Sequence, residues 1–231
     1  MTTQLLTAFL ATAAFATLAY ALGMVSRGGA LGGLLVGTTI YASLGPGGFA
    51  VLALFVVGGS VLTRLGYRSK RRAGTAQERG GRRGARNALA NCAIAAICAV
   101  LAAATGSDLF TTAFVASLGA AFADTSESEI GQLFSRTPRL ITTLRKTPPG
   151  TDGAISFPGT LAGIIAACLT AALALALGLL ESPETALLVA TAAYLGTIAD
   201  SLIGALYPRA GNEATNVICT LAAAALAPIL A

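Results

Sequence analysis

Eight apolar runs, each close to the length that crosses a bilayer, constrain this chain more than any other feature. They are Leu5–Met24, Gly29–Leu44, Gly48–Tyr67, Leu89–Thr105, Leu109–Ala123, Ser156–Leu180, Thr185–Tyr207 and Ala214–Ala231. A spanning helix needs about 20 apolar residues, because the hydrocarbon core is about 30 Å thick and a helix rises 1.5 Å per residue. The second and fifth runs are short and read as tilted, partial or re-entrant. Composition agrees: 55% of the residues are hydrophobic and 11% are charged, against about 25% charged in soluble domains. That is too little polar surface for water. The expected fold is all-α, a polytopic integral membrane protein of about eight (seven to eight) transmembrane helices in a single domain over residues 1–231. Thr2 to Leu22 lacks a preceding basic segment and reads as the first membrane helix, not as a cleaved signal.

The loops set the orientation. With eight spans, all 15 Lys and Arg residues fall on one side: Arg27, the stretch Arg64 to Arg86, the stretch Arg136 to Lys146, and Arg209. The other side receives only Asp108, Glu181 and Glu184 among charged residues. Basic residues collect in cytoplasmic loops, so the chain is expected in the cell membrane with both termini outward and its polar chemistry cytoplasmic. A wrong helix count would scramble this sorting. Two loops stand out on the basic side. The loop 64–87 reads mostly as a solvated positive anchor. The loop 124–156 is poor in apolar residues and of a length that often carries function.

Several chemistries are excluded early. The chain has no histidine, which removes Ser-His-Asp triads, His-ligated zinc and imidazole acid–base catalysis. Cys92, Cys98, Cys168 and Cys219 lie inside apolar runs without a CxxC spacing and read as small core residues. The net charge of +5 is explained by membrane orientation, so no nucleic acid is expected.

Three stretches carry candidate chemistry. In "FADTSESEIG", Asp124, Glu127 and Glu129 crowd three carboxylates at a helix end. Their repulsion calls for a compensating cation, and oxygen-rich sites of this kind suit Mg²⁺ when a nucleotide supplies further oxygens. On an ideal helix Asp124, Glu127 and Ser128 share a face, whereas Glu129 lies about 140° from Asp124. The second stretch, "PRLITTLRKTPPGTDGAIS", joins Arg139, Arg145 and Lys146 to hydroxyls and to "PPGTDG". Gly150 and Gly153 let backbone amides approach an anion, although an ordinary turn accounts for the composition equally well. In the third, "ADSLIGA", Asp200 stands inside an apolar helix, where a lone carboxylate is expensive to bury. Asn212 and Asn216 of "GNEATN" follow on the same membrane side, four apart on one helix face.

These pieces, with "GGRRGARNALAN" and "GTLAG", resemble the membrane family that contains plant phytyl-phosphate kinase and transmembrane protein 19. The resemblance covers roughly Gly80 to Thr220, and six ordered pieces make it specific. A looser likeness extends to dolichol kinase, phytol kinase and phosphatidate cytidylyltransferase. The resemblance implies that Arg83 and Asn91, then Asp124, Glu129 and Gly131, belong to the site. It also implies Arg139, Thr142, Pro148, Pro149, Gly150, Thr151 and Gly153, then Asp200 and Gly204, and last Asn212 and Asn216. There are departures: Ser126 replaces a Trp of the family pattern, Glu127 stands where a small residue is usual, Thr147 replaces an aliphatic residue, and Asn87 stands where Gln is common.

The implied activity is phosphoryl transfer from a nucleoside triphosphate, CTP first, to an isoprenyl monophosphate such as phytyl phosphate. Catalytic roles fall to Asp124, Glu129, Asp200 and Lys146, with Mg²⁺ expected on Asp124, Glu129 and Asp200. Nucleotide and phosphate binding fall to Arg82, Arg83, Asn91, Arg139, Thr142, Pro149, Gly150, Thr151, Asp152, Gly153, Asn212 and Asn216. The expected partners are the nucleotide, the prenyl phosphate and membrane lipid; a homodimer stays open. A prenol kinase or cytidylyltransferase of the same superfamily is the nearer alternative. A small transporter is the more distant one, and it would need a polar path to the outer face.

Overall fold

The computed structural model describes residues 2–231, apart from the side chains of Thr2 and Glu78. Among these residues there are nine helices: α1 (Thr2–Ala21), α2 (Arg27–Arg64), α3 (Tyr67–Arg72), α4 (Glu78–Gly81), α5 (Ala85–Thr105), α6 (Asp108–Phe134), α7 (Phe157–Ala176), α8 (Pro183–Leu206) and α9 (Asn212–Leu230). Strands β1 (Arg139–Leu140) and β2 (Ala154–Ile155) form a short antiparallel ribbon that pairs Arg139 with Ile155. Seven of the helices are long and apolar enough to cross a membrane.

One of the seven crosses twice. The 38 residues of α2 would make a straight rod about 57 Å long, yet its two ends meet. Arg64 Nη2 donates to the Leu22 carbonyl at 2.5 Å, just before α2 begins. Near the middle, a methyl group at Gly37 would come within 3.2 Å of the Phe49 ring, so the two limbs lie side by side. The reversal falls at Gly45, whose φ of 66° and ψ of −162° are not helical, and at Pro46, which lacks an amide hydrogen. The turn lies beside Leu177 and Leu179, at the far end of α7. The seven long helices therefore make eight crossings, as the charge sorting requires.

The hub is α6. Within its apolar window 83% of residues are buried, against 17–39% for the other six. It touches α2, α5, α7, α8 and α9. Small residues permit this. Gly58 of α2 meets the ring of Phe122, Gly119 meets Ala193 of α8, and Gly163 of α7 faces the Ala123 carbonyl. In lipid, close packing of this kind replaces the hydrophobic drive between helices.

The structure corrects two expected boundaries. The fifth span does not stop at Ala123 but runs as helix to Phe134, so the carboxylates sit within a helix rather than at its end. Neighbouring helices shelter this polar segment, and the hydroxyls of Ser126 and Ser128 bond back to the carbonyls of Phe122 and Thr125. The second loop thus begins near residue 135. In the first loop, most residues are exposed as expected, but the stretch carries α3 and α4, and Lys70 is buried.

Candidate active site

The loops and helix ends of the basic side enclose a cavity of about 1240 Å³. Its walls come from stretches far apart in sequence. The segment before α5 contributes Arg82 and Arg83, and α5 itself contributes Asn91. From α6 come Asp124, Glu127 and Glu129, and from α8 comes Asp200. The second loop supplies Pro149, Gly150, Thr151, Asp152 and Gly153, and the start of α9 supplies Asn212 and Asn216. Five expected residues do not line it: Pro148, Gly204, Arg139, Thr142 and Lys146. Lys146 and Thr142 are exposed, and the exposed Arg139 donates from Nη1 to the Leu144 carbonyl at 2.6 Å. Arg139, Thr142 and Lys146 belong to the hairpin that hangs from β1, with Lys146 bridged to Arg139 along the backbone.

Glycines seat the second loop where the sequence pattern placed them. Gly153 has a φ of 73°, and a methyl group there would lie 2.5 Å from both Ala205 Cβ and the Ser201 carbonyl oxygen. A side chain at Gly150 would strike Thr75, so the two loops of the basic side meet over the cavity. On the opposite flank, α7 comes so close that a methyl group at Gly159 would be 2.7 Å from the Glu127 carbonyl oxygen. Thr160 of α7 then donates to Glu127 Oε1 at 3.4 Å.

The carboxylates divide into two groups. Asp124, Glu127 and Asp200 lie close enough for their charges to act on one another. Asp200 Oδ1 is buried with no hydrogen-bond partner in the chain. Glu129 turns the other way. Its Oε2 accepts from Lys70 Nζ at 2.5 Å, and both side chains are almost wholly buried, at 3% and 1% exposure. Lys70 Nζ also donates to the carbonyls of Leu62 and Thr63 at 3.0 Å, near the end of α2. One oxygen of Glu129, Oε1, is left without a partner.

Arg83 reaches α6 from the segment before α5. Its Nη2 donates to Thr125 Oγ1 at 3.2 Å, its Nη1 approaches Asn87 Oδ1 at 3.4 Å, and its guanidinium carbon stands 5.1 Å from the centre of the Phe55 ring. Burial pushes the Arg83 guanidinium below the usual arginine range, and the nearby Glu129 carboxylate works against that shift. The backbone is pinned as well: the Ser26 amide donates to the Arg83 carbonyl, and the Arg83 amide donates to that of Met24. At Gly29 even a methyl group would collide with the Arg83 carbonyl oxygen.

Sequence reasoning missed Lys70 and understated Arg79 and Arg86, which also line the cavity. One signal existed: a crowded carboxylate run demands a compensating cation. Nothing in a string of basic residues says which cation that is.

Among the described residues no group of three His, Cys, Asp or Glu side chains is arranged to hold a metal ion. Asp124 and Asp200 still suit magnesium, which is usually bound through one or two carboxylates plus substrate phosphates and water. Glu129 suits it less, since Lys70 occupies one of its oxygens.

Eight crossings around a buried central helix, with a mixed-charge cavity at one membrane boundary, define a polytopic integral membrane protein with a hydrophilic site at one face. The chain belongs to the integral membrane protein family DUF92, whose model matches residues 10–222. It is similar to Protein VTE6, chloroplastic, of Arabidopsis thaliana, with 34% identity over 205 residues, which is 84% of this chain and 61% of the plant protein. The chain therefore spans about three fifths of that relative's length. An uncharacterized membrane protein of Synechocystis is 37% identical over 201 residues, covering 84% of this chain and 77% of the relative. One of Methanocaldococcus jannaschii is 36% identical over 197 residues, covering 84% and 80%. No solved structure matches the chain. The family expected from the six motifs is thus the family found.

Proposed function

We propose that this protein transfers the γ-phosphoryl group of a nucleoside triphosphate, CTP first, to an isoprenyl monophosphate such as phytyl phosphate. One observation carries this reading. A single cavity at the membrane boundary sets the carboxylates of Asp124 and Asp200 against the arginines that precede α5. Such a cavity can neutralise a metal-bound triphosphate and a second phosphate together. In the reaction an oxygen of the acceptor phosphate forms a bond to the γ-phosphorus. The bond from that phosphorus to the β-bridging oxygen breaks, and CDP leaves with the electron pair. The acceptor is already ionised, so positioning and charge neutralisation supply most of the catalysis.

Asp124 and Asp200 would hold Mg²⁺, which would supply charge neutralisation on the transferred phosphoryl group. Arg83 holds a second anionic oxygen and is itself fixed by Thr125 and Asn87. The loop from Pro149 to Gly153 presents backbone amides to the phosphates, and Asn212 and Asn216 border the same space. Lys146 takes no role in this reading because it stands outside the cavity.

The test incubates purified protein with γ-labelled CTP, Mg²⁺ and phytyl phosphate. Labelled phytyl diphosphate and CDP are expected. Pyrophosphate release would identify a cytidylyltransferase instead, and no product with any prenyl phosphate would refute the reading. A divalent cation is expected to be obligatory. Full turnover in excess chelator, with no metal retained, would contradict the roles given to Asp124 and Asp200.

A further inference from the structure

Four arginines gather on one wall of the cavity: Arg79, Arg82, Arg83 and Arg86. Among the described residues the only ion pair is Lys70 with Glu129, so none of the four forms an ion pair with a described carboxylate. They also stand around the start of α5, where unpaired amides add partial positive charge. The backbone is bent to bring them together. Arg79 has a φ of 54°, and Gly80 and Gly81 follow at 70° and 81°. Glycine adopts this left-handed region freely, but for arginine it is strained. The curl carries the Arg79 guanidinium back onto α5, where a methyl group at Gly84 would lie 3.2 Å from its Nη1. Four cations lining one cavity, with no described carboxylate paired to them, call for an anion.

We infer that this arginine wall is the seat of the phosphate of the lipid acceptor, distinct from the carboxylate wall that takes the metal-bound nucleotide; the inference rests on the kinase reading. Charge separates the two. The nucleotide brings a metal, and the metal needs carboxylates. A phosphate monoester is a dianion at neutral pH, with a second pKa near 6. It brings no metal, and Asp124, Glu127 and Asp200 would repel it. Guanidiniums bind such a group through paired, charge-assisted hydrogen bonds. The position suits a lipid as well. The wall is tied by backbone hydrogen bonds from Arg83 to Met24 and Ser26, in the connection where α1 leaves the membrane and α2 enters it. A phosphate seated there stands at the boundary, with its chain free to lie in hydrocarbon.

The test is equilibrium binding to the detergent-purified full chain, with dodecyl phosphate as a lipid monophosphate and Mg·CTP as the nucleotide. The variant Arg79→Gln with Arg86→Gln alters two exposed side chains, and its thermal unfolding is measured alongside. It should bind dodecyl phosphate at least about tenfold more weakly, the loss of roughly one charge-assisted hydrogen bond, and Mg·CTP within about twofold. Asp200→Asn should show the reverse pattern. Equal losses of both ligands in the arginine variant, or a loss of Mg·CTP alone, overturns the inference and leaves the kinase reading standing. Arginine-dependent dodecyl phosphate binding without turnover on any prenyl phosphate supports the wall and refutes the kinase. Binding of neither ligand by the unsubstituted protein overturns both.

Discussion

At the scale of single residues, the buried pair of Lys70 and Glu129 changes what the acidic run means. Three carboxylates within six positions look like one cluster, and all three border the cavity, but Glu129 is paired with Lys70. Removing one partner of a buried pair strands the other charge and costs about 3–5 kcal/mol, whereas replacing both by apolar residues is often nearly neutral. Lys70→Met should therefore lower the unfolding temperature strongly, and Lys70→Met with Glu129→Leu should recover most of the loss; thermal unfolding in detergent reads both. Asp124→Asn and Asp200→Asn should each reduce turnover by orders of magnitude at unchanged unfolding temperature. Glu127→Ala should be milder for turnover than Glu129→Ala, because Glu129 is one half of a buried ion pair whereas Glu127 meets the Thr160 hydroxyl only at 3.4 Å. A more damaging Glu127→Ala would restore the reading in which the shared face of Asp124 and Glu127 decides the chemistry. The carboxylates were legible in the sequence because acids are rare in apolar segments. Lys70 was not, since its burial depends on how a six-residue helix docks between α2 and α6.

Among the elements, the apolar runs were legible to within a few residues wherever a glycine, a proline or a charge ended them. The reversal at Gly45 and Pro46 falls between the second and third expected spans. The end of α6 was not legible. Hydropathy falls after Ala123, and a run such as "DTSESE" reads as solvated unless the surrounding helices are known. The hairpin that holds Arg139, Thr142 and Lys146 was also misjudged. Composition shows that these residues could bind phosphate, but the pairing of β1 with β2 directs them away from the cavity. The glycines of "PPGTDG" were placed well, because a positive φ and close approach are properties of the residue itself. Gly153 makes the prediction for this scale. A methyl group there meets both the left-handed backbone and the Ser201 carbonyl oxygen at 2.5 Å. Gly153→Ala should therefore shift the loop off the end of α8 and lower turnover about tenfold or more, as displacing a positioning group by an ångström does, with little change in the unfolding of the bundle. Unaltered kinetics in Gly153→Ala would remove the loop from the active site.

For the whole molecule, the sorted charges and the cavity make one argument about sidedness. All 15 basic residues belong to the loops and helix ends on the cavity side, and positive residues are retained in the cytoplasm. The cavity is therefore expected to open to the cytoplasm, where nucleotide enters from water. A prenyl chain gains about 0.8 kcal/mol for each CH₂ in hydrocarbon, so the acceptor is expected to enter sideways from the bilayer, among the helices that frame Asp124 and Asp200. Single cysteines in a cysteine-free background test the orientation, using a membrane-impermeant maleimide on intact cells. Asp108→Cys and Ser182→Cys lie at the starts of α6 and α8, on the far side, and should label from outside. Thr75→Cys and Thr151→Cys line the cavity and should label only after permeabilisation. Once cells are permeabilised, saturating Mg·CTP should slow the labelling of Thr151→Cys. It should leave Asp108→Cys unchanged, since that position lies across the membrane from the cavity. Labelling of Thr151→Cys from outside intact cells would reverse the orientation and, with it, the side from which the nucleotide is expected to enter.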